Sequence, residues 1–464
     1  MLTYFPRYFM TRAILCYVMT LFVVSIVFMN YALPFQFMLF GFIPICLFFV
    51  YSNKLTMDWR RYSVRKFTKK LYITALLIRI ACVLFLYFYF IEMHGSPFRF
   101  GVGDDTFYAE MGGLWRTVGF EETKQQIRMY AGWSDRGYPW WLSFEGLLFG
   151  THVLVPRILK CFIDAFSCVL IYNLTKRNFG EAVGRIAAVF CVLMPNMWYY
   201  CGVTLKETEM AFLVVLFVER GDLVLRSPKI KMVSLAIPAL CILVMTTFRT
   251  ALASVMLAAL VISVILTSAK QLQTWQKLLY GGVFAAWMFA TVGVEMIQEA
   301  ETLWAGRSEN QAVGYESRSR TNSFAQYASS SVLAPLIFTI PLSSMVAIPN
   351  QENQMMMNGA NFIKNILSGF VIFALFALLF NGDWRKHVLP IAVTCGYLVV
   401  LAFSNFAHAE RFHFPVLAFE LMFAAYGISQ LKNIHKRWFT MWFVIVCIAN
   451  LVWAWIKLAG RGWA

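Results

Sequence analysis

The sequence predicts an all-α polytopic membrane protein that forms one integral membrane domain over residues 1–464. Hydrophobic residues make up 60% of the chain and charged residues only 14%, whereas soluble proteins carry about 45–50% and about 25%. Apolar runs long enough to cross a bilayer recur along the chain, and they must be helical because lipid cannot satisfy an open backbone. These observations exclude ordinary soluble folds and disordered chains.

The apolar runs predict about 13 transmembrane helices, within a range of about 11–14, with further juxtamembrane helices on the outer face. The first run is too long for a cleaved signal peptide and is predicted to be a true span. The stretch 139–149 is too short to cross, and 332–348, broken by two prolines, is predicted to re-enter or to lie on the membrane as an amphipathic segment. The predicted spans lie near 13–29, 35–51, 71–91, 153–174, 185–203, 208–225, 232–248, 251–268, 278–298, 362–380, 388–404, 412–429 and 439–457.

The basic residues predict the orientation of the chain. The loop 52–70 contains seven Lys or Arg residues and one acid, Asp58, so the positive-inside rule places it in the cytoplasm. The other short basic loops fall on the same side, which puts the N-terminus inside and the C-terminus outside. The net charge of +16 is therefore mostly a topology signal. No nucleic-acid partner is predicted, because no basic stripe lies on a soluble face.

Two long outer segments hold the polar residues. The first outer loop, 92–138, contains the adjacent acids Asp104 and Asp105. A helix that begins there, with an Asp as its N-cap, would place these acids and Tyr108 on one face. The second outer segment, 299–361, is predicted to form a lid over a substrate site, and its loops would then tune specificity.

Several motifs resemble those of C-type (GT-C) glycosyltransferases, and in particular lipid A aminoarabinose transferases and protein O-mannosyltransferases. The run Asp-Asp-Thr-Phe-Tyr-Ala-Glu at 104–110 is similar to the acidic motif of that family's first outer loop. Further motifs follow in the family's order, over 70–225 and again at 405–430. They are Gly137-Tyr138-Pro139, Leu205-Lys206-Glu207 and Glu410-Arg411-Phe412. The chain departs from the pattern where Arg136-Gly137-Tyr138-Pro139 replaces a loop-closing Lys/Pro pair and where Lys206 precedes the acid. These departures leave the donor sugar and the exact sub-family open.

The resemblance implies a GT-C-like fold and a glycosyltransferase of the bacterial inner membrane. Such an enzyme moves a sugar from a polyprenyl-phosphate-linked donor to an acceptor hydroxyl at the outer, periplasmic face, with inversion, in cell-envelope glycan or glycoconjugate synthesis. The acceptor would be a glycan, a lipid or a protein, and membrane lipids would surround the chain.

This chemistry assigns roles to individual residues. The acceptor hydroxyl must lose a proton, so a carboxylate is needed as general base, and the phosphate leaving group needs cationic stabilisation. The predicted catalytic residues are Asp104, Asp105 and Glu207. The predicted donor-phosphate ligands are Arg411, Arg249, Lys206 and Arg136, and the supporting residues are Tyr108, Glu110, Tyr138 and His408. Helix capping, salt bridging and snorkelling are the structural alternatives for these side chains.

The sequence requires no cofactor. The ten cysteines and six histidines show neither CxxC nor HExxH spacing, so no metal site is predicted. A divalent metal ion is still compatible with the resemblance, because some members of the family need one.

Two other functions fit the same composition. A polysaccharide polymerase would also use basic residues of an outer loop and a lipid-linked donor, and product length separates it from a single-sugar transferase. A lipid or glycolipid transporter is the third alternative, but the chain shows no internal repeat, and the acids cluster outside the spans rather than within them.

Overall fold

A computed structural model describes residues 2–101, 103–227, 232–266, 336–404, 407–432 and 435–463, and the single positions 282, 286, 297 and 301. Within these ranges the chain is almost entirely α-helical. The only β-type pairing found there is an isolated antiparallel bridge between Ala32 and Val346. The predicted all-α class is therefore confirmed for the described part of the chain.

Three long helices begin the chain. They are α1 (Arg7–Val27), α2 (Phe35–Trp59) and α3 (Val64–His94). The Ser63 hydroxyl caps α3 by accepting a hydrogen bond from the Lys66 amide at 3.4 Å. The helix ends at Gly95, whose φ of 73° is in the left-handed region that glycine tolerates. Large apolar side chains on the outer faces of these helices are exposed, as expected for surfaces in contact with lipid.

Three shorter helices follow, over the predicted first outer loop and the apolar stretch 139–149. They are α4 (Asp104–Val118), α5 (Phe120–Tyr130) and α6 (Trp133–Phe149). The prediction that an Asp caps the first of them is wrong: the N-cap is Gly103, and Asp104 and Asp105 are in the first turn. There the carboxylates are favoured by the positive end of the helix dipole without acting as caps. Helix α4 packs against α6.

The central part of the chain is built from six further helices. They are α7 (Leu154–Phe179), α8 (Glu181–Leu193), α9 (Pro195–Cys201), α10 (Glu207–Arg226), α11 (Ala236–Phe248) and α12 (Thr250–Leu266). Gly180, with a φ of 93°, separates α7 from α8. Helices α8 and α9 are bent by 47° across their break, where proline occupies the first turn of α9.

The C-terminal part contributes five helices. They are α13 (Glu352–Met356), α14 (Asn358–Phe380), α15 (Val388–Ala402), α16 (Glu410–Ser429) and α17 (His435–Ala459). Helix α16 lies at the centre of the bundle, since its whole apolar stretch is buried inside the protein. It packs against α8, α10 and α14.

The prediction of about 13 spans is not confirmed. Seven described helices are long and apolar enough to cross a membrane, or eight if α8 and α9 form one broken span. Helices α7 and α10 coincide with predicted spans but carry several charged residues, and α11 and α12 are short. Almost all of the run 278–298 lies outside the described residues.

The segment 336–348 is mostly buried within the protein. Apart from a helical turn at its start it is irregular. Side chains of α14 satisfy its backbone: the Asn365 amide donates to the Pro341 carbonyl at 2.9 Å, and the Lys364 ammonium donates to the Ile340 carbonyl at 3.0 Å. The segment is therefore not an exposed amphipathic helix, and protein groups satisfy its irregular backbone, as is required wherever lipid cannot. Its predicted position relative to the membrane stays a prediction. The greater part of the predicted lid, 302–335, lies outside the described residues.

Candidate active site

The starts of three helices meet at one end of the bundle. Helix α4 begins at Asp104, α10 at Glu207 and α16 at Glu410. The break between α11 and α12, at Arg249, lies beside them. The unsatisfied amides of three helix starts create a positive electrostatic environment, which favours carboxylates and bound anions. This convergence brings together residues from four distant parts of the sequence.

An ion pair between Asp104 and Arg411 joins helix α4 to the central helix α16. The Arg411 guanidinium donates to one carboxylate oxygen of Asp104. The Asp104 side chain is 48% exposed and that of Arg411 is 28% exposed, so both side chains are accessible to a ligand at the protein surface. The guanidinium also lies over the ring of Phe412, 4.7 Å from its centroid. Two of the predicted site residues therefore touch.

Glu207 lies beneath this pair. It is only 2% exposed, and its Oε2 atom has no hydrogen-bond partner among the described residues. It interacts electrostatically with Arg411, Arg249 and Lys206. A buried carboxylate is tolerated when cations surround it, and Glu207 balances part of the positive charge of this cluster.

Lys206 makes a second set of contacts, with Asp135 of α6. Its ammonium donates to the Asp135 carboxylate, to the Ser134 carbonyl at 3.1 Å and to the Phe248 carbonyl at 2.5 Å. The Tyr108 hydroxyl donates to the same carboxylate at 3.1 Å. Burial acts to raise the pKa of Asp135, but Lys206 and Tyr108 outweigh it and hold that pKa below its usual range. Asp135 is therefore ionised at neutral pH and anchors α6 to the start of α10.

Arg249 is the third cation of the cluster. Its guanidinium donates to the Tyr397 hydroxyl at 3.0 Å and lies 4.3 Å from the centroid of the Phe412 ring. The same ring thus lies beside both guanidinium groups. Aromatic rings stabilise nearby cations through their quadrupole, so the ring offsets part of the repulsion between these two like charges.

Asp105 differs from its neighbour. It is fully buried, and its Oδ2 atom accepts the Arg99 amide at 2.9 Å and lies 3.5 Å from the Arg99 Nε atom. Its contacts are those of a residue that holds the turn before α4. This geometry supports a catalytic role for Asp104 better than it does for Asp105.

Tyr138 packs against the cluster from α6. Its ring is fully buried and meets the Tyr108 ring edge to face, with centroids 5.0 Å apart. The Tyr138 hydroxyl has no hydrogen-bond partner among the described residues. Burial raises the pKa of Tyr138, so its hydroxyl remains protonated.

The remaining predicted residues lie outside this cluster. Glu110 is exposed on another face of α4. The Arg136 guanidinium donates to the Ala131 carbonyl at 3.0 Å and the Arg128 carbonyl at 3.3 Å, so it closes the end of α5. The His408 ring stacks on the Trp453 ring, with centroids 5.0 Å apart.

Sequence reasoning assigned no role to Asp135 or Tyr397. Asp135 is one of seven acids in the first outer loop, and its distance from Lys206 depends on how α6 folds back. Tyr397 lies inside the apolar helix α15, where its hydroxyl gives no local signal. In the described part of the chain, no group of three or more His, Cys, Asp or Glu side chains is arranged to hold a metal ion.

Comparisons with known proteins are sparse. No protein-family model matches the chain, and no curated protein matches it significantly. Three solved structures of an oligosaccharyltransferase from Archaeoglobus fulgidus are similar to it. The apo form gives a TM-score of 0.46 at 10% identity, with 85% of this chain and 56% of that chain covered. The complex with Zn and sulfate gives 0.41 at 12% identity, with 84% and 53% covered.

The third structure, in complex with an inhibitory peptide and a dolichol-phosphate, gives a TM-score of 0.45 at 12% identity, with 85% and 56% covered. The chain thus spans about half the length of the proteins it resembles. Similarity at this level does not identify a reaction or a substrate.

Proposed function

We propose that this chain is a glycosyltransferase that moves a sugar from a polyprenyl-phosphate donor to an acceptor hydroxyl at the outer face of the membrane, with inversion. The observation that carries the proposal is the accessible ion pair between Asp104 and Arg411. It offers a carboxylate for the acceptor and a guanidinium for the donor phosphate at one point. The motif resemblance at 104–110 supports the same assignment.

The reaction replaces one bond with another at the anomeric carbon. The acceptor oxygen forms a bond to that carbon while the bond from the carbon to the phosphate oxygen breaks, and polyprenyl phosphate leaves with the electron pair. Asp104 accepts the proton of the attacking hydroxyl as general base. Arg411 contacts the phosphate through its guanidinium, and the added negative charge of the leaving group is stabilised by Arg249 and Lys206.

Glu207 and Asp135 have a supporting role in this proposal. They neutralise the cations while no phosphate is bound, and they keep Lys206 and Arg411 oriented. Apolar grooves between the helices would receive the lipid tail of the donor. No metal ion is needed for any of these steps, although a divalent ion remains compatible with the motif resemblance.

The test replaces the proposed base. Asp104→Asn should lower the rate of transfer by about 10²–10⁴-fold, the range expected for loss of a general base. The protein would be reconstituted in nanodiscs with a panel of polyprenyl-phosphate sugars, and release of polyprenyl phosphate would be measured. Glu110→Gln, an exposed acid on the same helix, is the matched control and should retain full activity.

The products distinguish the alternatives. Single additions with an inverted anomeric configuration support the proposal, whereas ladders of product would indicate a polymerase. Full activity of Asp104→Asn would refute the assigned base. Movement of donor lipid across the bilayer without cleavage of its phosphate bond would indicate a transporter instead.

A further inference from the structure

A cavity of about 660 Å³ opens beside the Asp104–Arg411 cluster, between α5, α6 and α11. Its walls are mostly apolar and unusually rich in aromatic rings. The rings come from Phe120, Trp133, Trp140, Trp141, Phe144 and Phe248. The mechanism proposed above leaves this cavity unused.

The cavity shares a wall with the proposed active site. Phe248 lines the cavity, while its carbonyl accepts the Lys206 ammonium at 2.5 Å. Gly137 also lines it and immediately precedes Tyr138, whose ring packs against Tyr108. A Cβ atom at Gly137 would lie 2.2 Å from the Thr247 hydroxyl oxygen, so α6 and α11 touch at this wall. A molecule in the cavity would therefore be separated from the cluster by this packed wall.

Three cations border the cavity: Lys124, Arg128 and Arg136. None of its described lining residues is acidic. Two carbonyls fix the orientation of the Arg136 guanidinium. Arg128 is exposed. Lys124 pairs with Glu121 at 3.3 Å, and the Glu121 side chain is 79% exposed, so Arg128 and Arg136 supply most of the positive charge. The cavity thus has a net positive border.

Exposed apolar residues indicate where the cavity lies. Leu147, Leu148 and Phe149, at the end of α6, are 47–62% exposed. Such a cluster next to aromatic and basic residues is typical of a surface in contact with the membrane interface. A ligand would therefore reach this cavity along the membrane surface.

We propose that this cavity binds an acidic saccharide, as a holding site for the part of the acceptor chain that lies away from the reacting hydroxyl. The flat faces of indole rings pack against the C–H faces of sugar rings, and guanidinium groups bind carboxylates and phosphates through charge-assisted hydrogen bonds. Neither feature alone selects this class, but an aromatic cavity bordered by three cations matches a ligand that has both ring faces and negative charge. This inference rests on the proposed function for its acceptor role, whereas the binding itself is independent of turnover.

The test measures binding in the absence of a donor. The full chain in phosphatidylcholine nanodiscs would be titrated with tetragalacturonate, and tryptophan fluorescence should change with saturation. The methyl-esterified, uncharged tetrasaccharide should bind at least about tenfold more weakly, and Arg128→Gln should raise the Kd of tetragalacturonate about tenfold, since a charge-assisted hydrogen bond is worth about 1.4 kcal/mol or more. Trp141→Ala should weaken both saccharides.

Arg116→Gln is the matched control, because Arg116 is an exposed arginine of α4 and does not line the cavity. Its Kd should equal that of the unmodified protein. Equal binding of the charged and uncharged saccharides, or equal effects of the two arginine substitutions, would overturn the proposal. So would competition by phosphatidylglycerol added to the nanodiscs, which would make a phospholipid headgroup the occupant.

Two further arms separate the sources of the ligand and the two proposals. Tighter binding of a lipid-anchored tetragalacturonate than of the free form identifies a lipid-borne acceptor, and equal binding identifies a free glycan; both support the inference. If the saccharide binds but no donor is consumed, the proposed transfer fails while the binding site stands. If donor is consumed but no acidic saccharide binds, only the present inference fails.

Discussion

Asp104 and Asp105 are adjacent in the sequence but have opposite environments. The side chain of Asp104 is half-exposed and paired with Arg411, whereas that of Asp105 is buried and bonded to the Arg99 backbone. A helix rotates by about 100° per residue, so the side chains of two consecutive residues point in different directions and meet different surroundings. The acidic pair could be located from the sequence, but the choice between its members required the position of α16, which supplies Arg411.

Glu145 of α6 should make the stability of the protein depend on pH. Burial, reinforced by the nearby Glu209, raises the pKa of Glu145 to about 8. The folded protein therefore keeps a proton on Glu145 that the unfolded chain has already lost above its ordinary pKa of 4.5. The free energy of unfolding should consequently fall as the pH rises from about 4.5 to about 8, and should level off above that range.

Glu145→Gln should remove this contribution, because the amide does not titrate. The measurement is the thermal midpoint of the detergent-solubilised protein at pH 5, 6.5 and 8, compared with that of the unmodified chain. The substituted protein should lose less stability over this range. An identical pH profile for the two proteins would contradict a raised pKa at Glu145.

At the scale of the elements, close helix crossings depend on glycine. Gly41 of α2 and Gly359 of α14 face each other, and a Cβ atom at Gly359 would lie 2.4 Å from the Gly41 carbonyl oxygen. Neighbouring polar contacts fix the crossing: the Asn358 side chain accepts from the Tyr17 hydroxyl at 2.6 Å and donates to the Phe37 carbonyl at 2.8 Å. Small residues let helix backbones approach in this way within membranes.

Gly359→Ala should destabilise the protein by about 1–3 kcal/mol, since only a shift of backbone can relieve the overlap. Gly113→Ala is the control, because a Cβ atom there would meet nothing within 4 Å and alanine favours a helix. Thermal midpoints of the two variants, measured by size-exclusion chromatography after heating, check this expectation. A midpoint for Gly359→Ala as high as that for Gly113→Ala would mean that the helices separate without cost.

At the scale of the whole molecule, the orientation remains a prediction from the basic loops. It places Lys69 inside and Glu122 outside, and both side chains are exposed. In spheroplasts, a membrane-impermeant maleimide should label Glu122→Cys directly and Lys69→Cys only after permeabilisation, each measured against the background of the native cysteines. The reverse pattern would place the candidate site in the cytoplasm and would exclude an outer-face transferase.

The sequence predicted helix location better than helix role. Twelve of the 13 predicted spans coincide with described helices, because the apolar periodicity is local information. The number of helices that cross the membrane could not be derived from this periodicity. Arg79 and Asp164 form a fully buried ion pair between α3 and α7, and such pairs allow a charged helix to lie inside the bundle, where hydropathy no longer reports contact with lipid.

The candidate site, too, could be predicted only in part from the sequence. Asp104, Glu207 and Arg411 could be proposed from motifs, and the structure brings them together. Asp135 was hidden among other loop acids, since only the fold of α6 onto α10 distinguishes it. Arg136 is of a residue type that commonly binds phosphate, yet its guanidinium caps the end of a helix. No sequence pattern revealed this contact.

The pair formed by Asp104 and Arg411 joins positions that are 307 residues apart. During synthesis, the chain emerges from its N-terminus onward, so the carboxylate reaches the membrane long before its partner. Until α16 is inserted, Asp104 has no guanidinium beside it, so the proposed phosphate site is incomplete. Under the proposed function, a nascent chain is therefore unable to cleave lipid-linked precursors, and the order of assembly protects the pool of activated sugar from premature loss.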